Sequence, residues 1–106
     1  MGVLIVSVES IATSVADVLN KHRGNVEDIF FDYKDDEDLR IDCYMFDLEC
    51  ANNLVKDMKI YDFYYTTHVH DPDWHSPVVR MDFPTLALRD AVVTTLRAAG
   101  YTVNGG

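Results

Sequence analysis

Two stretches of alternating apolar and polar residues flank a run of four carboxylates about one third of the way along the chain. The apolar positions are Ile29, Phe31 and Tyr33 before the run and Leu39, Ile41, Cys43 and Met45 after it. A side-chain period of two places each apolar set on one face of a β-sheet. The four carboxylates, residues 35–38, fit a solvated turn. The sequence therefore predicts a β-hairpin over residues 25–49.

The predicted hairpin also carries most of the negative charge. It contains ten of the eighteen carboxylates of this 106-residue chain, whose formal net charge is −9. Such a charge repels nucleic acid and anionic membranes, and it attracts a basic protein, a metal cation or a cationic ligand. We therefore expect no direct contact with nucleic acid or membrane. Solubility alone is a second interpretation of the same charge.

Length and cysteine usage indicate the class of protein. A chain of this size suits a single domain, residues 1–106, with one core. Cys43 and Cys50 form no Cys-x-x-Cys pair, and Cys43 belongs to the core-facing set, which predicts a buried thiol rather than a disulfide. This usage fits a reducing, cytoplasmic setting. The start of the chain lacks the basic segment of a signal peptide, and no apolar run reaches transmembrane length.

The rest of the chain alternates between helical and strand periods. Besides the hairpin, the predicted strands are residues 3–8, 60–70, 78–83 and 101–103, and the predicted helices are residues 11–23, 50–58 and 85–99. Ser10 and Gly24 are expected to cap the first helix, and His22 to lie on the surface at its end. The fold class is therefore α+β: a ferredoxin-like, antiparallel-dominated sheet with helices packed on it, extended by a C-terminal β-α-β unit.

The outward face of the predicted hairpin holds aromatic residues that need a cover. Phe30, Tyr44 and Phe46 share this face with charged residues, and exposed clusters of large apolar side chains mark interaction surfaces. The C-terminal helix, a second subunit in a homodimer, or a partner protein would each supply the cover. Asp32 and Asp42 are expected to face each other across the hairpin. Lys34 and Arg40 would neutralise them, which argues against a catalytic pair.

The segment ATSVADVLNKHRGNVEDIFF, residues 12–31, resembles the first helix and second strand of ACT domains, which are small ferredoxin-like regulatory modules. In that family the helix ends near a glycine and an Asn-Ile/Val-Glu-type turn leads into the strand, as residues 24–29 do here. The resemblance extends in element order to about Val69. It implies a domain that dimerises through its sheet and senses a small molecule. The loop of residues 9–12 lacks the glycine of the family's ligand turn.

A histidine-rich segment, HVHDPDWH, begins inside the fourth predicted strand, where His68 and His70 share one face, and continues beyond the end of that strand. His68, His70, Asp73 and His75 offer three imidazoles and a carboxylate, a set that suits zinc. The segment has no cysteine, however, and its spacing matches no closed site, so we predict exposed histidines and no bound metal or cofactor. The chain also has no Gly-rich phosphate loop and no Gly-x-Ser-x-Gly motif. We therefore predict that it is not an enzyme.

Two classes of function remain. The first is an inhibitor or regulator that binds a basic, nucleic-acid-binding protein surface through the acidic hairpin. In size and charge the chain resembles small acidic inhibitors encoded by phages and mobile elements, including DNA mimics and anti-CRISPR proteins. The expected partner-binding residues are Phe30, Asp32, Asp35, Asp36, Glu37, Asp38, Asp42, Tyr44 and Phe46. The second class is the ACT-like sensor of a small molecule.

Overall fold

A computed structural model describes residues 7–32, 34–72 and 74–105 and has three helices and a five-stranded mixed sheet, which confirms the α+β class. The helices are α1 (Val8–Lys21), α2 (Leu48–Met58) and α3 (Leu86–Ala98). The strands are β1 (Val26–Phe31), β2 (Arg40–Met45), β3 (Thr66–His70), β4 (Val78–Asp82) and β5 (Val103–Gly105). Within these described residues, no helix has the length and apolar character needed to cross a membrane.

The predicted hairpin is present as the antiparallel pair β1 and β2, in which Ile29 lies opposite Cys43. Ile29, Ile41, Cys43 and Met45 are buried, as the period of two predicted. Of the other inward positions, Phe31 and Leu39 are half-buried, and Tyr33 lies outside the described residues. The predicted pairing of Asp32 with Asp42 is wrong, because Phe30 is the residue opposite Asp42. The strands end at Phe31 and resume at Arg40, so that Asp32 belongs to the connecting loop.

The strand order is β3-β4-β2-β1-β5. All neighbouring strands are antiparallel except β1 and β5, which run parallel. The C-terminal unit is therefore not a simple extension at one edge, because β4 lies between β3 and β2 while β5 joins the opposite edge. The predicted strand over residues 3–8 falls outside the described residues, except for Ser7 and Val8.

One core cluster contains residues of all three helices and of the inward-facing strand positions. Its largest fully buried side chains include Leu19 of α1, Leu54 of α2 and Leu96 of α3. Because the three helices share this cluster, they lie on the same face of the sheet. The C-terminal helix therefore does not cover the opposite face, and that option is wrong. We call the opposite face the open face.

The ends of α1 differ from the sequence-based prediction. The N-cap is Ser7, whose Oγ accepts a hydrogen bond from the Ser10 amide at 3.1 Å, so the predicted cap at Ser10 is wrong. Gly24 lies in a 3-10 turn and does not have the left-handed conformation of a capping glycine. His22 is buried rather than exposed, and its Nε2 lies 2.6 Å from Asp57 Oδ2 on α2.

The strand predicted over residues 60–70 begins only at Thr66. A 3-10 turn, Lys59–Tyr61, follows α2 directly, and residues 62–64 form a further turn. Tyr61 and Tyr65 are four residues apart and their rings stack, with centroids 6.3 Å apart. A strand period of two would place Phe63 on the same face as Tyr65, but Phe63 is 98% exposed, whereas Tyr65 is buried. The alternation of aromatic residues therefore does not indicate a strand here.

Candidate interaction surface

The loop between β1 and β2 is described for residues 32 and 34–39, which are here called the acidic tip. Three aspartates spaced three residues apart fold it. A side-chain oxygen of Asp32, Asp35 and Asp38 each accepts a hydrogen bond from the backbone amide two residues further on, at 3.1, 2.9 and 3.1 Å. This contact defines the Asx turn. The amide of Asp38 also donates to the carbonyl oxygen of Asp35 at 3.1 Å. Successive Asx turns therefore shape the tip.

A buried arginine of α3 binds the acidic tip from the core side. The Nη1 atom of Arg89 lies 3.2, 3.1 and 2.7 Å from the carbonyl oxygens of Asp32, Asp35 and Asp38. Its Nε and Nη2 atoms donate to Asp90 Oδ1 at 3.1 and 2.9 Å. Arg89 is only 2% exposed. One guanidinium group, with its fixed fork of donors, therefore positions three carbonyl groups of the loop.

The carboxylates of the acidic tip differ in exposure. Asp32 and Asp38 are partly buried, whereas the side chains of Asp35, Asp36 and Glu37 are exposed. Asp36 and Glu37 contribute no side-chain oxygen to the Asx turns described above. The structure thus brings together five of the residues expected to bind a partner. Two of them, Asp36 and Glu37, have exposed carboxylates that take no part in the Asx turns.

Asp42, the sixth expected carboxylate, lies apart from the tip on the open face. Its Oδ1 is 3.2 Å from Nε of Arg40 and 3.6 Å from Nε of Arg80, and neither contact has hydrogen-bond geometry. Burial raises the pKa of Asp42, and this effect outweighs the opposing attraction of the two arginines. Asp42 therefore belongs to a cluster on the sheet face in which two arginines balance its charge. Arg80, which the sequence did not single out, supplies the second of its two cations.

Four aromatic rings form a continuous row on the open face, here called the ring row. The centroids of Phe30 and Tyr44 are 5.4 Å apart, those of Tyr44 and His75 are 5.4 Å apart, and those of His75 and Trp74 are 4.3 Å apart. The loop between β3 and β4 therefore partly covers the hairpin aromatics. Phe46, by contrast, is 60% exposed just after β2. The sequence singles out Trp74 only as part of the histidine segment.

The described histidines of the histidine segment contact different partners. His68 and His70 pair with β4 residues on the open face, as their spacing predicted. His68 Nδ1 lies 3.7 Å from Asp82 Oδ2, and His75 Nδ1 lies 2.6 Å from the Ser76 carbonyl oxygen. Asp73 lies outside the described residues. Among the residues the structure does describe, no three His, Cys, Asp or Glu side chains gather around a possible metal position. The expected absence of a metal stays a prediction.

No protein-family model matches the chain, and no curated protein or solved structure is significantly similar to it. The resemblance to ACT domains accordingly stays a prediction.

Proposed function

We propose that this chain is a non-enzymatic inhibitor or regulator that binds a basic protein surface, such as a nucleic-acid-binding groove, through its acidic tip. Small acidic inhibitors encoded by phages, among them anti-CRISPR proteins, act in this way. The observation that supports the proposal most strongly is the position of Arg89 beneath the tip. It lies within hydrogen-bond distance of three tip carbonyl oxygens while the carboxylates of Asp36 and Glu37 are exposed.

The energetics of Arg89 favour a binding role for the tip. Removing an arginine from water is costly, so a buried arginine needs good hydrogen-bond partners. Here three of those partners are backbone carbonyl groups of a surface loop, which holds the loop in one conformation. A loop that is ordered before binding loses less conformational entropy when it binds. Exposed carboxylates on this held backbone can then present a pattern of negative charge to an Arg/Lys groove.

A second candidate, the ACT-like sensor of the ferredoxin-like class, is supported by a pocket. The pocket has a volume of about 410 Å³ and lies beside β1, with Arg23, Asp28 and Tyr101 among its lining residues. The guanidinium carbon of Arg23 is 4.4 Å from the ring centroid of Tyr101. Glu27 and Asp28 place two carboxylates beside that cation, so a small molecule that carries both an ammonium and an acidic group would find opposite charges there. In this alternative the open face serves for dimerisation.

Charge reversal at the tip tests the first proposal. Wild-type protein and the double variant Asp36→Lys with Glu37→Lys are used to capture proteins from a host lysate, and the association rate of the captured protein is then measured at several salt concentrations. We expect the double variant to associate about tenfold more slowly at low salt, with the difference shrinking as salt rises. Neither substitution removes an Asx-turn acceptor, so the melting temperature should change little.

The matched control is Asp17→Lys with Glu49→Lys, two exposed helical positions that change the net charge by the same amount. The control should associate almost like wild type, because the charges lie outside the tip. Equal slowing by both double variants would show that only net charge matters and would contradict the proposal. A thermal shift with an amino acid, which carries both an ammonium and a carboxylate group, together with no captured basic protein, would favour the sensor instead.

A further inference from the structure

We propose that the ring row, formed by Phe30, Tyr44, His75 and Trp74, is a docking site for arginine side chains of the basic partner. This inference rests on the proposed function and names the residue type that the partner must present. Trp74 is 81% exposed at the end of the row and Phe30 is 40% exposed. Tryptophan and tyrosine are enriched among the residues that contribute most to binding energy at interfaces.

The ring row rests on an ordered base. Phe30 and Tyr44 belong to two paired strands within the sheet. The Ser76 hydroxyl donates to Glu27 Oε2 at 2.8 Å, which connects the loop carrying His75 and Trp74 to β1. Val78, at the end of this loop, is 1% exposed although it lies outside the core cluster. The exposed indole is therefore presented on a fixed platform, which lowers the entropy cost of binding.

The charge around the ring row selects a cation. Asp28 is exposed and lies opposite Tyr44 across the hairpin, so its carboxylate is on the same face as the rings. On the other side of the row, Asp42 already has two arginine neighbours. An aromatic face beside an exposed carboxylate suits a guanidinium group, which can stack on the ring and hydrogen-bond to the carboxylate. Lysine lacks the planar group required for stacking.

The same charge argues against a second copy of this chain as the occupant. Two molecules that each carry a net charge of −9 repel one another on approach. Burying the open face in a homodimer would also bring two copies of Asp28 into the interface. An arginine-bearing segment of a basic protein instead gains attraction from both the rings and the carboxylate.

Trp74 is the only tryptophan of the chain, so its fluorescence reports directly on the ring row. The test titrates the protein with acetylated and amidated octa-arginine and octa-lysine peptides at physiological salt. We expect octa-arginine to change the emission of Trp74 and to bind at least fivefold more tightly than octa-lysine. Equal affinity for the two peptides, or binding without any change in Trp74 emission, would overturn the inference.

Variants then separate the ring row from the acidic tip. With fluorescein-labelled peptides followed by anisotropy, Trp74→Ala should weaken octa-arginine binding about tenfold and octa-lysine binding less than twofold. The matched control is Phe63→Ala, because Phe63 is 98% exposed and lies in the turn after α2. It should leave both affinities unchanged. Equal losses from Trp74→Ala and Phe63→Ala would overturn the inference.

The outcomes distinguish failure of this inference from failure of the proposed function. If both peptides bind through the tip, so that Asp36→Lys with Glu37→Lys weakens them while Trp74→Ala does not, the proposed function stands and the ring-row inference is overturned. If neither peptide binds, both are overturned. A concentration-dependent dimer that Trp74→Ala dissociates, measured by sedimentation, would assign the open face to a second copy and overturn the inference as well.

Discussion

The Nη1 atom of Arg89 lies 2.7 Å from the carbonyl oxygen of Asp38. This contact joins a helix of the core to the most acidic loop of the chain. Because the guanidinium group is 2% exposed and lies 5.3 Å from the ring centroid of Phe31, it is surrounded by protein rather than by water. The conformation of the acidic tip is therefore coupled to the packing of α3 on the sheet.

Replacement of Arg89 should lower the stability of the fold. Arg89→Met keeps much of the side-chain volume but removes the donors to the tip, and we expect the free energy of unfolding to fall by about 2–3 kcal/mol in urea denaturation. The free energy of unfolding of Arg89→Lys should lie between those of wild type and Arg89→Met, because an ammonium group is charged but lacks the fork geometry of guanidinium.

The control for this prediction is Arg97→Met. Arg97 donates to a single carbonyl oxygen, that of Val103, at 2.7 Å, and it is exposed. Its loss should cost about 1 kcal/mol. In hydrogen exchange, Arg89→Met should also deprotect the amide of Asp38, which donates to Asp35 within the tip. A stability loss no larger than that of Arg97→Met would contradict the assigned role of Arg89.

Features encoded by neighbouring residues could be predicted from the sequence. The hairpin was predicted because a period of two is a local pattern that directly determines which face of a strand is buried. Ile29, Ile41 and Cys43 are all buried as that pattern requires. Gly100 directly follows the helix predicted over residues 85–99, and its φ of 96° is the left-handed conformation typical of a glycine after a helix end.

Features that depend on distant contacts could not be predicted. Arg89 occupies a position in α3 whose partners in the acidic tip lie more than fifty residues earlier in the chain. The three-residue spacing of Asp32, Asp35 and Asp38 was the available signal, but it was interpreted only as a charge run. His22 was likewise assigned to the surface, since nothing local shows that α2 places Asp57 beside it.

The two interior glycines should respond differently to substitution by alanine. At Gly100 the φ of 96° disfavours any Cβ, and an added Cβ would lie 2.9 Å from Arg23 Nη2. Gly100→Ala should therefore lower the free energy of unfolding by about 1–2 kcal/mol. At Gly24 an added Cβ meets nothing within 4 Å, so Gly24→Ala should change stability by less than about 0.5 kcal/mol or increase it. Equal melting temperatures for the two variants would contradict this assignment.

Two carboxylates should affect the pH dependence of stability with opposite signs. The backbone amide of Cys50 donates to Asp47 and lowers the pKa of that carboxyl below its ordinary value of 3.8. The contribution of Asp47 to the stability of the fold is therefore fully present above pH 3.8, and it is lost as the pH falls through the lowered pKa. Burial raises the pKa of Asp42, so acidification through that raised pKa favours the folded state, which binds the proton more tightly.

Urea denaturation between about pH 6 and about pH 2 tests these signs. Asp47→Asn retains a capping oxygen but no longer titrates, so this variant should lose less stability than wild type on acidification. Asp42→Asn removes the favourable proton uptake and should lose more stability than wild type over the same range. Profiles that stay parallel to the wild-type profile for both variants would contradict the two assignments.

The contact between His22 and Asp57 should couple α1 to α2. The side chain of His22 is 11% exposed and that of Asp57 is 48% exposed, with Nε2 and Oδ2 2.6 Å apart. Because Asp57 retains contact with water, the interaction energy should be modest.

In a double-mutant cycle of His22→Ala and Asp57→Ala, we expect a coupling of about 1 kcal/mol in the free energy of unfolding. Asp17→Ala, an exposed position on α1, should show no coupling with Asp57→Ala. Additive effects of His22→Ala and Asp57→Ala would show that the two helices are held by apolar packing alone.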